Sequence, residues 1–179
     1  MHRFTVTALA YVCLICAGCS TTVPLNYIPS SSIRGSGTVS LTTFKYIPAE
    51  QGIVEQNEFQ KAPAALGYIY LSEPVCDVIR NALRKELVMS GFTVEPGANL
   101  TIEADVTRFL YDWIGFVEVD FYLDTTFRIY REKELLLKYD ASSHQKAPKT
   151  VSQNPEAIRA AISKSFDDFL LEARSKKIL

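Results

Sequence analysis

The segment VEVDFYLDTTFRIY, residues 117–130, carries the clearest periodic pattern in the chain. Along its whole length, every second residue is apolar, except that Thr125 takes one of these positions, and the residues between them are mostly polar or charged. A period of two is typical of a β-strand that buries one face and leaves the other in water. The segment therefore predicts a long strand whose core-facing positions are Val117, Val119, Phe121, Leu123, Thr125, Phe127 and Ile129.

The residues around this strand extend it into an antiparallel meander. REKE at 131–134 predicts a hairpin turn, and residues 135–142 predict the partner strand. Upstream, residues 100–107 alternate in the same way, and the pattern blurs at 109–111, which indicates either a β-bulge or a strand that is apolar on both faces. Shorter strands are predicted from Gly37, at 67–71 and from Phe92.

Two further segments have the three- and four-residue spacing of amphipathic helices. The first covers residues 73–90, with Ser72 as its N-cap and Gly91 as a left-handed C-cap. The second begins with Asn154 as its cap and Pro155 at the first helical position. The order of elements predicts an α+β domain of two layers, in which a mostly antiparallel sheet of four to five strands carries two helices packed on one face.

The start of the chain has a different composition. MHR at 1–3 precedes a short apolar run at 4–16, and the small residues Ala17 and Gly18 follow. This arrangement is typical of a secretory signal peptide. The run is shorter than the roughly 20 apolar residues that a bilayer-spanning helix needs. Residues 1–18 are therefore predicted to be a signal peptide.

CAGC at 16–19 resembles the lipobox of bacterial lipoproteins, in which small residues precede a cysteine. The resemblance implies that Cys19 carries a diacylglyceryl group on its sulfur, becomes the new N-terminus and is acylated on its amine, for example with palmitate. Cys13 and Cys16 follow bulky residues and fit this role less well, and Cys16 stands where the lipobox usually has Leu. By analogy with sorting in enteric bacteria, Ser20 favours the outer membrane, with the domain facing the periplasm. The alternative is an ordinary cleaved signal with a coincidental cysteine.

Composition predicts how the remaining chain is divided. Residues 19–36 are rich in Ser, Thr and Pro and predict a flexible tether, whereas residues 37–179 predict a single α+β domain. The alternative is that the tether is partly ordered, with Leu25, Tyr27 and Ile28 on the domain surface. A formal net charge of −1 with 47% hydrophobic residues gives no electrostatic basis for binding nucleic acid. The lipid on Cys19 is the only cofactor expected, and it makes the membrane a partner.

The residues that often carry chemistry do not form a recognisable site. His144 is predicted in a polar loop, and Cys76 is predicted to be a structural residue on the apolar side of the first helix. Asp120 and Asp124 would suit a hydrolase with paired carboxylates, yet their spacing places them on the solvent face of the long strand. No cluster has the spacing of a metal site. We therefore predict no catalytic residues, no metal and no enzymatic activity.

Aromatic residues are concentrated in FLYDWIGFVEV at 109–119, around a predicted turn. Tyr111, Trp113 and Phe116 are candidate partner-binding residues, because aromatic residues dominate interface hot spots. The alternative is that they pack against the domain.

The helix that ends in LVMSGF, the turn EPG and the strand LTIEADV together resemble the YajG-type periplasmic lipoproteins, over about residues 37–173. Similar layouts occur in auxiliary lipoproteins of lipid-transport systems and in LptE-type assembly lipoproteins. The resemblance implies no established enzymatic activity and supplies no catalytic residues.

Three functions agree with these observations. The leading expectation is a lipid-anchored, non-enzymatic accessory or scaffold protein with an envelope protein as its partner. The alternative is an auxiliary component of a transport system that handles a lipid or small ligand between sheet and helices. The third is a hydrolase that uses Asp120 and Asp124.

Overall fold

A computed structural model of the protein describes residues 20–114, 117–149 and 154–179. In chain order its elements are β1 (Ser20–Val23), β2 (Gly37–Tyr46), the short helix α1 (Ile47–Glu50), β3 (Gln60–Lys61), β4 (Tyr68–Leu71), α2 (Val75–Met89), β5 (Phe92–Val94), β6 (Leu100–Asp112), β7 (Glu118–Arg131), β8 (Glu134–Pro148) and α3 (Asn154–Ser175).

The main sheet has six strands and is mixed. Five strands lie in the order β5-β2-β6-β7-β8, and β3 pairs with the end of β6 beyond the stretch that β2 covers. β7 is antiparallel to both β6 and β8, whereas β2 is parallel to β5 and β6. The α+β class is confirmed, but the predicted sheet of four to five mostly antiparallel strands matches only roughly. The residues of a short strand do not indicate whether it pairs in parallel or antiparallel. Here the chain crosses over through α2 between β2 and β5, and this connection makes the two strands parallel.

The meander forms as the alternation predicts. Every second side chain of β7 from Val119 to Ile129 is buried, and the β6–β7 register shifts between Val106 and Arg108, where the bulge lies. Val117 is the exception, because it precedes the strand and is 77% exposed.

The partner strand β8 is longer than predicted. It continues to Pro148, so His144 lies in a strand and not in a loop. The buried residues of this extension are small, namely Ser143 and Ala147. Their alternation with polar residues is therefore weak in the sequence.

The two long helices cover the same face of the sheet. Helix α2 packs on β2 and β5, α3 packs on β7 and β8, and the two helices touch each other. The ring of Phe127 in β7 stacks on Phe169 of α3 at 4.4 Å between centroids, and Phe166 meets it edge-on at 6.0 Å. Aromatic side chains thus fill the layer between sheet and helices.

The segment at 20–36, for which a flexible tether was expected, lies against the domain over much of its length. β1 forms a separate parallel pair with β4, and Tyr27, Ser31 and Ile33 are buried. Glu86 of α2 is completely buried and accepts hydrogen bonds from the Tyr27 hydroxyl and from the backbone amides of Ser30 and Ser31. A segment without regular structure needs such partners for its backbone groups, and this helix residue supplies them.

Candidate functional site

The predicted site residues differ in where they lie. Cys19 and Phe116 fall outside the described residues. Tyr111 is only 3% exposed and packs between Phe59 and Trp113, at 6.0 and 5.6 Å between ring centroids. Burial raises the pKa of Tyr111 to about 12. Tyr111 therefore belongs to the core and offers no ring to a partner, whereas Trp113 is partly exposed at the edge of the core.

Exposed apolar side chains lie on segments that meet near the end of the sheet where β6 finishes and β7 begins. Lys61 pairs with Tyr111 of β6, and its ammonium donates to the carbonyl of Gly67, the residue after Leu66. We call Leu66, Tyr68, Trp113, Ile114 and Val117 the apolar rim. Four of them are exposed to 44% or more, with Leu66 the most exposed at 88%. Large apolar residues are exposed singly on most proteins, but a contiguous group commonly marks a surface that contacts something else.

A cleft and two hydrogen bonds of Lys149 connect the elements that carry the apolar rim. Thr21, Ile69, Trp113 and Lys149 line a cleft of about 200 Å³, which joins the β1–β4 pair to the β6–β7 end. The Lys149 ammonium donates to the Trp113 carbonyl at 2.8 Å, and the Lys149 amide donates to the Val117 carbonyl at 2.9 Å. Cations also flank the β4 side, where Lys61 Nζ lies 3.9 Å from the centre of the Tyr68 ring.

Sequence reasoning missed most of the apolar rim. Leu66 stands among small residues in a loop with no periodic pattern, and Val117 continues the alternation of β7 and was predicted to face the core. The signal that would have found Leu66 is an isolated large apolar residue in a segment that predicts no strand or helix.

The opposite side of the sheet from the helices forms a second surface, which we call the open sheet face and define by Arg108, Asp120, Tyr122, Asp124 and His144. The Tyr122 ring stacks on His144 at 4.3 Å between centroids, and the Arg108 guanidinium lies 4.1 Å from the Tyr122 ring centre. Asp120 Oδ1 is 2.6 Å from His144 Nε2, and Asp124 Oδ2 is 3.9 Å from Arg108 Nη1. The open sheet face is therefore a network of paired charges and stacked rings.

This arrangement does not match a hydrolase with paired carboxylates. Asp120 and Asp124 stand four positions apart on one strand, so their Cα atoms are about 13 Å apart at the usual rise per residue. Catalytic carboxyl pairs in glycosidases lie roughly 5 to 9.5 Å apart. Ser142 Oγ donates to Asp124 at 2.5 Å, whereas His144 pairs with Asp120, so the hydroxyl and the imidazole bond to different carboxylates.

Cys76 lies on α2, where it is partly buried and packs against the core. Burial raises the pKa of its thiol, so the unreactive protonated form is favoured. In residues 20–114, 117–149 and 154–179, no group of three or more His, Cys, Asp or Glu is placed to hold a metal ion. Within the same ranges no helix is both long and apolar enough to cross a bilayer.

The fold is similar to those of solved proteins. A crystal structure of a Xanthomonas campestris protein of the DUF330 family has a TM-score of 0.65 at 11% identity and covers 89% of this chain and 96% of that chain. An uncharacterized protein has a TM-score of 0.53 at 13% identity, covering 86% of this chain and 98% of its own. A minor lipoprotein from Acinetobacter baumannii has a TM-score of 0.45 at 14% identity, covering 78% and 94% of the two chains, and this likeness carries no functional conclusion.

At these identities the similarity shows the fold alone. No protein-family model matches the sequence, and no curated protein matches it at a significant level. The YajG-type resemblance therefore stays a prediction.

Proposed function

We propose that this protein is a lipid-anchored envelope protein that acts, without catalytic activity, as an accessory or scaffold for a periplasmic or outer-membrane complex. The observation that carries the proposal is the position of Ser20. This residue follows the candidate lipid-attachment residue Cys19, and it already pairs with Tyr68 in the β1–β4 ladder. A lipid at Cys19 would therefore hold the folded domain itself close to the membrane.

The chemistry of the anchor supports stable attachment. Each buried methylene contributes about 0.8 kcal/mol, and two or more acyl chains are needed for lasting membrane binding. A cysteine acylated on both sulfur and amine meets that requirement. Ser20 after the cysteine favours the outer membrane by analogy with enteric sorting, and this location is part of the proposal.

The open sheet face is the surface that we propose for the protein partner. It combines Tyr122, Arg108 and His144 with the carboxylates of Asp120 and Asp124, and these side chains keep part of their surface in solvent. Tyrosine and arginine are enriched among the residues that dominate protein interfaces. A face with satisfied pairs and little exposed apolar area suits a partner that binds reversibly in water.

In vivo photo-crosslinking tests this role. A photoreactive amino acid at Tyr130, on the same side of β7 as Tyr122, should capture an envelope protein. The matched position is Leu171 on α3, which is 54% exposed and lies on the helical side. Capture from Tyr130 but not from Leu171, with loss or mislocalisation of the captured protein when this protein is deleted, is the expected result. If neither position captures a protein, the scaffold role is wrong.

No observation favours the lipid- or ligand-handling alternative to the same degree. The layer between sheet and helices is filled by side chains such as Phe127, Phe166 and Phe169, all completely buried. The cleft at the apolar rim has about 200 Å³, which is below the roughly 300 to 1,000 Å³ of usual ligand pockets. A groove of about 650 Å³ lies between residues 28–30 and α3, but partly exposed charged residues of α3 line it, and it is not between the sheet and the helices.

A further inference from the structure

We infer that the apolar rim lies against the phospholipid bilayer in the anchored protein, with Leu66, Ile114 and Val117 in contact with lipid and Trp113 at the headgroup level. This inference rests on the proposed lipid anchor at Cys19, because the anchor brings this end of the sheet to the membrane. The bilayer would then be a second docking surface for the protein, beyond the acyl chains themselves.

The first step is the short distance between the candidate anchor and the fold. Ser20 pairs with Tyr68, and one residue of extended chain reaches only about 3.3 to 3.6 Å. A lipid attached at Cys19 would therefore start within a few residues' reach of Tyr68. Leu66 lies two positions before Tyr68 and is the most exposed large apolar residue of the described chain.

The second step places the other half of the apolar rim beside this point. Ile69 is the β4 partner of Thr21, and both line the cleft that Trp113 closes from the β6 side. Ile114 and Val117 follow Trp113 closely in the chain and are 49% and 77% exposed. Ser20, the first described residue, therefore lies at the same end of the molecule as these exposed apolar side chains.

The third step is the chemistry of the apolar rim, which matches a membrane interface. Tryptophan and tyrosine are enriched at the headgroup level, where one end of the ring is apolar and the other meets water. Lys61 lies over the Tyr68 ring and Lys149 binds the Trp113 carbonyl, so both ammonium groups stand beside the apolar residues. Lysine stems can cover apolar surface while the charge stays near headgroups.

The acidic residues at this end have partners. Asp112 accepts a hydrogen bond from the Ile114 amide, and Glu118 lies 3.5 Å from Lys146 Nζ. The charge of Glu118 is therefore paired with a cation, whereas Asp112 keeps its negative charge and is the one carboxylate of these two that would oppose an approach to anionic lipid.

The far end of the sheet has the opposite character. The β7–β8 hairpin there consists of Arg131, Glu132, Lys133 and Glu134. At about 3.3 Å per residue, β7 separates this hairpin from the apolar rim by roughly 40 to 45 Å. An anchored domain with the apolar rim on the bilayer would hold its charged end and most of the open sheet face in the periplasm.

Tryptophan fluorescence tests the inference directly, because Trp113 is the sole tryptophan of the chain. The full-length protein, processed and lipidated in bacteria, is reconstituted into phosphatidylcholine–phosphatidylglycerol vesicles. One set of vesicles has ordinary acyl chains and the other has chains brominated near the headgroup, since bromine quenches a nearby indole. Flotation of the vesicles reports the anchor separately from the quenching.

We expect Trp113 emission to fall about twofold in the brominated vesicles, as for an indole at the headgroup level. Replacing Leu66→Ser and Val117→Ser together should remove most of this quenching without changing flotation. The control is Val88→Ser with Leu171→Ser, which changes two apolar residues of α2 and α3 that are 57% and 54% exposed and lie outside the apolar rim. Trp113 emission of this variant should be quenched as in the unchanged protein.

Equal emission in both kinds of vesicle, with the protein still floating, would overturn the inference and leave the anchor intact. Protein that neither floats nor is quenched would refute the anchor and the inference together. Trp113 could instead be shielded from water without being quenched by the brominated chains. If chemical crosslinking then yields dimers, a second copy of the protein covers the apolar rim, and the inference is wrong.

Discussion

The carboxylate of Glu86, buried in the middle of helix α2, accepts a hydrogen bond from the hydroxyl of Tyr27, which precedes it by 59 residues. The same carboxylate receives the amides of Ser30 at 2.9 Å and Ser31 at 3.0 Å. A charged group in the core is tolerated only when its hydrogen bonds are made, and here one side chain fastens a whole segment to the helix. The same segment contains β1, so the contact with Glu86 also helps to position Ser20, the residue after the candidate anchor Cys19.

Glu86→Gln should destabilise the protein and loosen residues 24–34. An amide offers one acceptor oxygen where the carboxylate offers two, so its NH₂ group would face at least one backbone N–H. Hydrogen bonds to a charged group contribute about 1.5 to 3 kcal/mol each, and we expect the free energy of unfolding to fall by about 2 kcal/mol. Urea denaturation measures the loss, and hydrogen exchange of the Ser30 and Ser31 amides locates it.

The control for this change is Glu95→Gln, which makes the same substitution at an exposed position. It should alter neither unfolding nor exchange. Unchanged protection of Ser30 and Ser31 in Glu86→Gln would contradict the role assigned to this carboxylate.

The buried tyrosines predict a loss of stability at alkaline pH. Burial raises the pKa of Tyr27, Tyr46 and Tyr111 above the ordinary 10.0, for Tyr111 to about 12. The unfolded chain therefore gives up these protons first, so the stabilisation is complete below pH 10 and declines as the pH rises toward 12. At about 1.4 kcal/mol per pH unit, Tyr111 alone would lose roughly 2 to 3 kcal/mol over this range.

Circular dichroism and absorbance at 295 nm, recorded together from pH 9 upward, check this expectation. Unfolding and tyrosinate formation should begin together. Between neutral and alkaline pH, the Tyr111→Phe variant should lose less unfolding free energy than the unchanged protein does. Ionisation of every tyrosine near its ordinary pKa, with the fold unchanged, would show that these hydroxyls are not buried.

Gly91 at the end of α2 should not tolerate a side chain. Its φ is +100°, and an added Cβ would lie 2.6 Å from the Gly35 carbonyl oxygen. Strained backbone of this kind costs about 1 to 3 kcal/mol before the close contact is counted. We expect Gly91→Ala to lower the free energy of unfolding by more than Gly97→Ala, because Gly97 has φ +79° but open space around its Cβ position. Equal effects in thermal unfolding would mean that the contact with Gly35 is unimportant.

The sequence predicted well the elements whose signal is local. The alternation from Val119 to Ile129 defined β7, Gly91 marked the end of α2, and Asn154 marked the start of α3. The predicted N-cap Ser72 is wrong, because α2 begins at Val75 after Pro74 and has no side-chain cap. The bulge between Val106 and Arg108 was visible in the sequence as a change of phase just after it, since Val106 before it and Phe109 after it are both buried.

Features that depend on distant partners were not predictable in this way. Glu86 is a charged residue in a helix, and only the docking of the segment at Tyr27 reveals that it is buried. The parallel pairing of β2 with β6 depends on the path of the chain between them and not on the composition of either strand. The apolar rim depends on segments that are distant in the sequence, and Val117 continues the alternation of β7 although it precedes the strand and is exposed.

The central claim is that Cys19 carries lipid, and metabolic labelling with palmitate tests it most directly. Labelled palmitate should enter the full-length protein and be absent from Cys19→Ala, while Cys13→Ala, Cys16→Ala and Cys76→Ala should label as the unchanged protein does, provided that the precursor is still processed. Failure of the unchanged protein to label, or persistence of the label in Cys19→Ala, would contradict the account.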